Sequence, residues 1–138
     1  RVGRQLKVKS LFVRGSITMH ASATNTTVRL IFLIDRETGT SSPVVTDILD
    51  SVDVHSPLEV AQSSARFQVL KDYRINVNGT SNETRLFKFF RHLNTKLKYD
   101  GTGTGDISSN GIYMLVLSDE PTNTPTFTMC SRLRYVDN

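Results

Sequence analysis

The chain has 138 residues, with 17 Lys and Arg against 13 Asp and Glu, a net charge of +4 and a pI of about 9.5. This length suits one hydrophobic core, so we expect residues 1–138 to form a single domain. A lone cysteine, Cys130, excludes an intrachain disulfide framework and a four-cysteine zinc site. No apolar run approaches the roughly 18–20 residues of a transmembrane helix, and the opening residues 1–4 do not resemble a signal peptide.

Charge is segregated along the chain. Residues 1–34 carry +6, residues 35–59 carry −5, residues 66–98 carry +6 and residues 99–138 carry −3. This distribution predicts one basic and one acidic face, or unlike patches that meet between subunits. A basic face indicates phosphate or another polyanion as partner. The alternative is an ordinary solvated surface.

In the first half of the chain, apolar patterns predict two strands and one short helix. The first strand covers residues 6–20, and its apolar phase shifts near Ser10, which indicates a β-bulge. Residues 28–34 are mostly apolar at odd and even positions alike, which predicts a strand buried on both faces. Ser42 and Pro43 then predict a helix through Leu49, with Ser42 as its N-cap.

The second half of the chain is dominated by strand signals. Six strands are predicted here, over Arg66–Leu70, Tyr73–Val77, Leu86–Leu93, Lys96–Tyr99, Ile112–Leu117 and Phe127–Val136. The third of these also fits helical spacing, although its aromatic density favours a strand. In the last strand, alternation places Phe127, Met129, Leu133 and Tyr135 inward and Arg132 and Arg134 outward.

About eight strands, long loops and one short helix define the expected fold class. It is all-β: an eight-stranded antiparallel jelly-roll sandwich of two four-stranded sheets, with the helix in a long loop. A parallel α/β fold is excluded because the crossover helices are missing.

The sequence shows no catalytic constellation. His20, His55 and His92 lie in separate segments without metal-ligand spacing, and no Gly-x-Ser-x-Gly motif occurs. Cys130 is expected to be a small, partly buried residue of the last strand. We therefore predict that the protein is not an enzyme and has no catalytic metal.

An acidic run offers a possible calcium site. Asp47, Asp50 and Asp53 are spaced by three residues, and together with Asp35 and Glu37 they could bind calcium, since hard cations prefer carboxylate oxygens. The spacing does not match an EF-hand loop, and a solvated acidic surface is the alternative interpretation.

Basic residues carry the main functional signal. Arg1, Arg4, Lys7 and Lys9 cluster where the chain enters the predicted sheet. A second set, Lys88, Arg91, Lys96 and Lys98, flanks the aromatic residues Phe87, Phe89, Phe90 and Tyr99. Cations beside aromatic rings hold single-stranded nucleic acid by phosphate contact and base stacking. The alternative is that the phenylalanines belong to the core.

The order of several short motifs carries a family resemblance. The run from Lys9 to Ile17 precedes the strand from Val28 to Arg36, which is followed by a Ser-Pro loop and a short helix. Arg66–Asp72, Leu97–Gly101 and Asn110–Leu115 follow in order. Over roughly residues 5–136 this resembles the coat protein family of satellite tobacco necrosis virus. It is also similar to the capsid proteins of small circular single-stranded DNA viruses, including geminiviruses.

The resemblance implies a capsid protein that self-assembles into an icosahedral shell of about sixty copies around single-stranded RNA or DNA. Its location would be the virion, assembled in the nucleus for a DNA virus or in the cytoplasm for an RNA virus, with no membrane partner. It also implies a basic N-terminal arm, expected to lie largely before residue 1. No cofactor is expected; structural calcium between subunits, which some of these viruses have, is left as an open alternative because no ligand set can be matched residue by residue.

The resemblance also suggests nucleic-acid-binding residues. The first choice is the set where the arm joins the first strand: Arg1, Arg4, Lys7 and Lys9. The second is Arg66, Lys71 and Arg74. The alternative function is a non-viral jelly-roll binding module, lectin-like or tumour-necrosis-factor-like, that recognises carbohydrate or a receptor.

Overall fold

The computed structural model describes residues 5–38, 42–58, 65–101 and 106–137. Seven strands and one helix occur there: β1 (Gln5–Thr18), β2 (Asn25–Asp35), α1 (Val45–Ile48), β3 (Phe67–Asn78), β4 (Thr84–Tyr99), β5 (Ile107–Ser109), β6 (Gly111–Ser118) and β7 (Thr126–Asp137). They form two antiparallel sheets. Sheet A has the order β5-β4-β1-β7 and sheet B the order β3-β2-β6.

The all-β antiparallel sandwich is confirmed, but the strand arrangement differs from the prediction. The sheets contain four and three strands within the described residues, rather than four each. Two predicted pairs of strands are continuous: β3 runs through Lys71 and Asp72, and β4 runs through Asn94, which has φ 50°. β3 stays paired with β2 through Lys71 and Asp72, and the pairing of β4 with β1 resumes at Thr95 after a register shift. The short β5 lies in a segment that was predicted to be a loop.

The main core lies between the sheets. Alternate apolar residues of β1 and β2, which include Val13, Ile17, Leu30 and Phe32, meet there with Phe89 of β4. The Phe32 and Phe89 rings stack with their centroids 5.0 Å apart. Burial of these side chains provides the main stabilisation of the sandwich.

Sheet B is covered on its other side as well. Ile31 and Leu33 of β2 point away from sheet A and pack against Ile48, Leu49 and Phe67. The segment 42–58, which includes α1, therefore lies over the outer face of this sheet. This explains why β2 has apolar residues on both of its faces, as the sequence predicted.

The helix begins later than expected. Val44 precedes its first residue, and the backbone N–H of Val44 donates to the Asp47 carboxylate over 3.0 Å. Ser42 is therefore not the N-cap, because Asp47 satisfies the free donor from inside the helix. The predicted bulge near Ser10 is confirmed by a register shift between Val8 and Ser10.

One edge of the sandwich is open. β6 and β7 are edge strands of their sheets, and their inward-facing residues Val116, Met129, Leu133 and Tyr135 are all exposed. The alternation predicted for β7 is correct, but within the described residues nothing covers its inner face beyond Phe127, which packs against the core.

Candidate nucleic-acid interface

The outer face of sheet A carries a dense set of cations. We call it the basic face, and its members are Lys7 and Arg14 of β1, Lys88, Lys96 and Lys98 of β4, and Arg132 and Arg134 of β7. Unlike sheet B, this sheet has no covering segment among the described residues.

Strand pairing brings these cations together from distant parts of the chain. Lys7 lies opposite Lys96 in the register of β1 and β4, and Arg14 lies opposite Lys88. On the other side of β1, Arg132 is the register partner of Phe12. Directly opposed side chains of antiparallel strands are close neighbours on one face of a sheet. The register therefore produces a continuous positive surface.

The strands that carry this surface are nearly free of acids within the described residues. The strands of sheet A contain one acidic residue there, Asp137, which is in register with the inward-facing Leu6. None of the seven cations takes part in an ion pair within the described part of the chain. Like charges directly opposed across a strand pair are destabilising. A bound polyanion would relieve that repulsion.

The opposite side of the molecule, where segment 42–58 covers sheet B, carries several acidic residues. Its covering segment carries Asp47, Asp50 and Asp53, and the last two are exposed. Of the three cations in the strands of sheet B, Arg29 pairs with Asp72, and Lys71 and Arg74 are exposed. The acidic residues of the covering segment thus lie on the side of the molecule opposite to the basic face.

The structure describes two of the four first-choice residues, Lys7 and Lys9. Arg1 and Arg4 lie outside the described residues. Lys7 is half-buried and belongs to the basic face. Lys9 is exposed and lies within the register shift of β1. The structure thus places Lys7 and Lys9 on the strand that enters the cationic sheet.

The second-choice residues lie at sheet B. Arg66 donates from Nε and Nη2 to the two carboxylate oxygens of Asp35, over 2.9 and 2.8 Å. This hydrogen-bonded carboxylate raises the pKa of Arg66 above its usual value. The Lys71 ammonium lies 5.0 Å from the centroid of the Tyr73 ring, and Arg74 is exposed on β3. The structure therefore does not bring these residues together with Lys7 and Lys9.

Sequence reasoning did not select several members of the basic face. Arg14, Arg132 and Arg134 were not among the predicted binding residues, although the alternation of the last strand had already placed Arg132 and Arg134 outward. Conversely, Arg91 pairs with Leu11, which on its other side pairs with Leu133. Residues at this register position face inward, so Arg91 does not belong to the basic face. The missing information was the pairing of β1 with β4 and β7.

The remaining candidate residues show no sign of a catalytic centre. His20, His55 and His92 are all exposed. Cys130 is also exposed, which corrects the expectation of partial burial, because it lies on the outward parity of an edge strand. No cluster of three metal-ligating side chains occurs among the described residues. No helix in the described ranges is long and apolar enough to cross a membrane.

The fold and this face place the chain in a class of antiparallel β-sandwich proteins with one strongly cationic sheet surface. The family model for the satellite tobacco necrosis virus coat protein matches residues 1–138. The chain therefore belongs to the satellite tobacco necrosis virus coat protein family, which indicates a structural role.

A named relative agrees with this assignment. The chain is 25% identical over 142 residues to the coat protein of Maize white line mosaic Satellite virus. The match covers 99% of this chain and 65% of that protein, so the chain spans about two thirds of its relative's length.

Proposed function

We propose that this chain forms the shell domain of a small viral capsid. In the proposal, about sixty copies assemble into an icosahedral particle and enclose a single-stranded genome. The basic face supports this most directly, since seven cations without an ion-pair partner among the described residues form a surface suited to phosphate. Family membership supports the structural role.

The basic face would be turned toward the genome. Lys7 and Lys9 join it at the start of β1, and Arg1 and Arg4 would continue the positive charge along the arm. Arg66, Lys71 and Arg74 are a separate prediction, since Arg66 is engaged with Asp35 and the other two lie on sheet B. The protein would reside in the virion.

Particle formation and nucleic-acid content test the proposal together. The purified protein is examined by light scattering and negative-stain microscopy, with absorbance at 260 and 280 nm measured on the same sample. Uniform shells that contain nucleic acid are expected. A monomer or small oligomer at every salt and calcium concentration would contradict the capsid role. Repeating the measurement with a chelator tests whether the shell depends on structural calcium.

A matched pair of variants assigns the genome contact to one sheet. Lys88→Gln combined with Arg132→Gln removes two charges from the basic face, and Lys71→Gln combined with Arg74→Gln removes two from sheet B. Because the net charge falls equally in both, a lower nucleic-acid content of the first variant alone supports the basic face. The reverse result would favour the residues of sheet B.

A further inference from the structure

One phenylalanine lies exposed in the middle of the basic face. Phe87 and Phe89 of β4 point into the core, whereas Phe90 points outward and is 54% exposed. Among the described residues it is the one phenylalanine whose side chain is largely exposed to solvent. Leaving a benzyl side chain in water forfeits the stabilisation that its burial would give, so its position calls for a partner.

The ring of Phe90 has aromatic neighbours on its own strand and on β1. Phe12 is its register partner on β1 and is half-buried. The imidazole of His92 lies with its centroid 4.8 Å from that of Phe90, at an interplanar angle of 85°. An edge-to-face contact of this kind holds the two rings in a fixed relative orientation, and Phe90 remains 54% exposed.

Cations surround this aromatic group. Phe12, Phe90 and Ser10 line a shallow depression of about 270 Å³ together with Arg132 and Arg134. Lys88 lies two residues before Phe90 on the same face of β4. A ring face framed by phosphate-binding side chains is the arrangement by which proteins hold unpaired bases.

The charges of the face decide between possible occupants. A second copy of the same face would bring seven further cations against these seven, and the one acid in the described strands of sheet A, Asp137, is in register with the inward-facing Leu6. A nucleic-acid duplex offers phosphates, but its bases are already stacked on one another. An unpaired base offers both a free π-face and the adjacent phosphates.

From this we infer that Phe90, oriented by His92, is a stacking platform for an unpaired nucleobase, and that the basic face prefers single strands to duplexes. This inference rests on the proposed nucleic-acid contact and adds the kind of nucleic acid. Phe90 supplies the stacking surface, while Arg132, Arg134 and Lys88 hold the flanking phosphates.

The test uses the purified chain and two probes: a short oligothymidylate and a duplex of equal length. Phe90→Leu removes the ring and keeps an apolar side chain at an exposed position. We expect about tenfold weaker binding of the single strand and unchanged binding of the duplex. The dependence of affinity on salt should not change, because the phosphate contacts remain. Phe90→Tyr should restore binding.

Leu86→Ala is the matched control, since Leu86 is an exposed apolar residue on the same face of the same strand. It should bind both probes as the parent does. A fluorescent 2-aminopurine placed in the oligonucleotide should be quenched by the parent protein and much less by Phe90→Leu.

Three results would overturn the inference. If parent and Phe90→Leu bind the single strand equally, the ring does not stack and the basic face alone accounts for binding. If Phe90→Leu instead abolishes self-association in sedimentation velocity without changing nucleic-acid binding, the ring contacts another subunit. If the parent binds neither probe, the proposed nucleic-acid contact itself fails, and the inference fails with it.

Discussion

Arg29 and Asp72 form an ion pair across the β2–β3 pair, with the guanidinium buried and the carboxylate partly exposed. The guanidinium, which is 1% exposed, donates from Nε and Nη2 to the two carboxylate oxygens over 3.0 and 2.7 Å. Its Nη1 also donates to the backbone carbonyls of Val54 and Ser56. One buried side chain therefore fastens the covering segment to the outer face of sheet B.

Removing this guanidinium should destabilise the fold strongly. We expect Arg29→Met to lower the free energy of unfolding by about 3 kcal/mol, because Asp72 loses its counter-charge and two carbonyls lose their donor. Urea unfolding followed by circular dichroism measures the loss. The control is Arg85→Gln, an exposed arginine that is hydrogen-bonded to Asn82. A loss below about 0.5 kcal/mol, as expected for a surface site, would contradict the structural role of Arg29.

Gly15 allows a close approach of strands and rings. A Cβ at this position would overlap the Thr128 carbonyl oxygen and lie 2.7 Å from Cζ of Phe87. Gly15→Ala should therefore destabilise the sandwich by about 1–3 kcal/mol, as overpacking does. At Gly79 the nearest atom to an added Cβ is the flexible Met19 Cε at 3.1 Å. Gly79→Ala should be nearly neutral in the same unfolding assay, and equal losses would refute the packing argument.

The open edge predicts a contrast between two leucines that are register partners. Leu11 and Leu133 both face inward, but Leu11 is 7% exposed and Leu133 is 40% exposed. Leu11→Ala should cost about 3 kcal/mol through the cavity it leaves. Leu133→Lys should cost little, and it should reduce self-association of the chain, because charge on an edge strand opposes strand addition.

Thermal unfolding measures the stability of both variants, and sedimentation velocity measures the self-association of Leu133→Lys. A large loss of stability in Leu133→Lys would mean that this edge is covered in the folded protein. Unchanged self-association would mean that β7 is not the surface through which copies meet.

The basic face predicts how the binding of single strands depends on salt. Neutralising Lys88, Arg132 and Arg134 together should lower the slope of log affinity against log salt by about 2, since each phosphate contact to a single strand contributes about 0.7. Fluorescence anisotropy with a labelled oligonucleotide measures the slope. The same substitution should leave the unfolding midpoint close to that of the parent, because these side chains are exposed. An unchanged slope would remove these residues from the interface.

How much the sequence predicted depends on whether a feature is local. The two-sided apolar run of β2, the bulge near Ser10 and the strand character of residues 86–93 are confirmed. Each follows from the pattern of apolar and polar residues along the strand, which reflects which faces of the strand are buried. The capping of α1 was missed, because the side chain of Asp47 satisfies a donor that Ser42 was expected to satisfy. Breaks assigned at residues 71–72 and 94–95 were wrong, because β3 stays paired with β2 through Lys71 and Asp72 and β4 resumes its pairing with β1 at Thr95.

The sequence by itself determined the fold class, the local strand faces and the segregation of charge, since these follow from side-chain identity at short range. Only the tertiary structure decided which strands pair, and hence that Arg14, Lys88, Arg132 and Arg134 share one face while Arg66 is bound to Asp35. It also decided that Phe90 is exposed while Phe89 is buried. The physical reason is that strand register joins residues that are far apart in the chain, and local alternation carries no information about the partner strand.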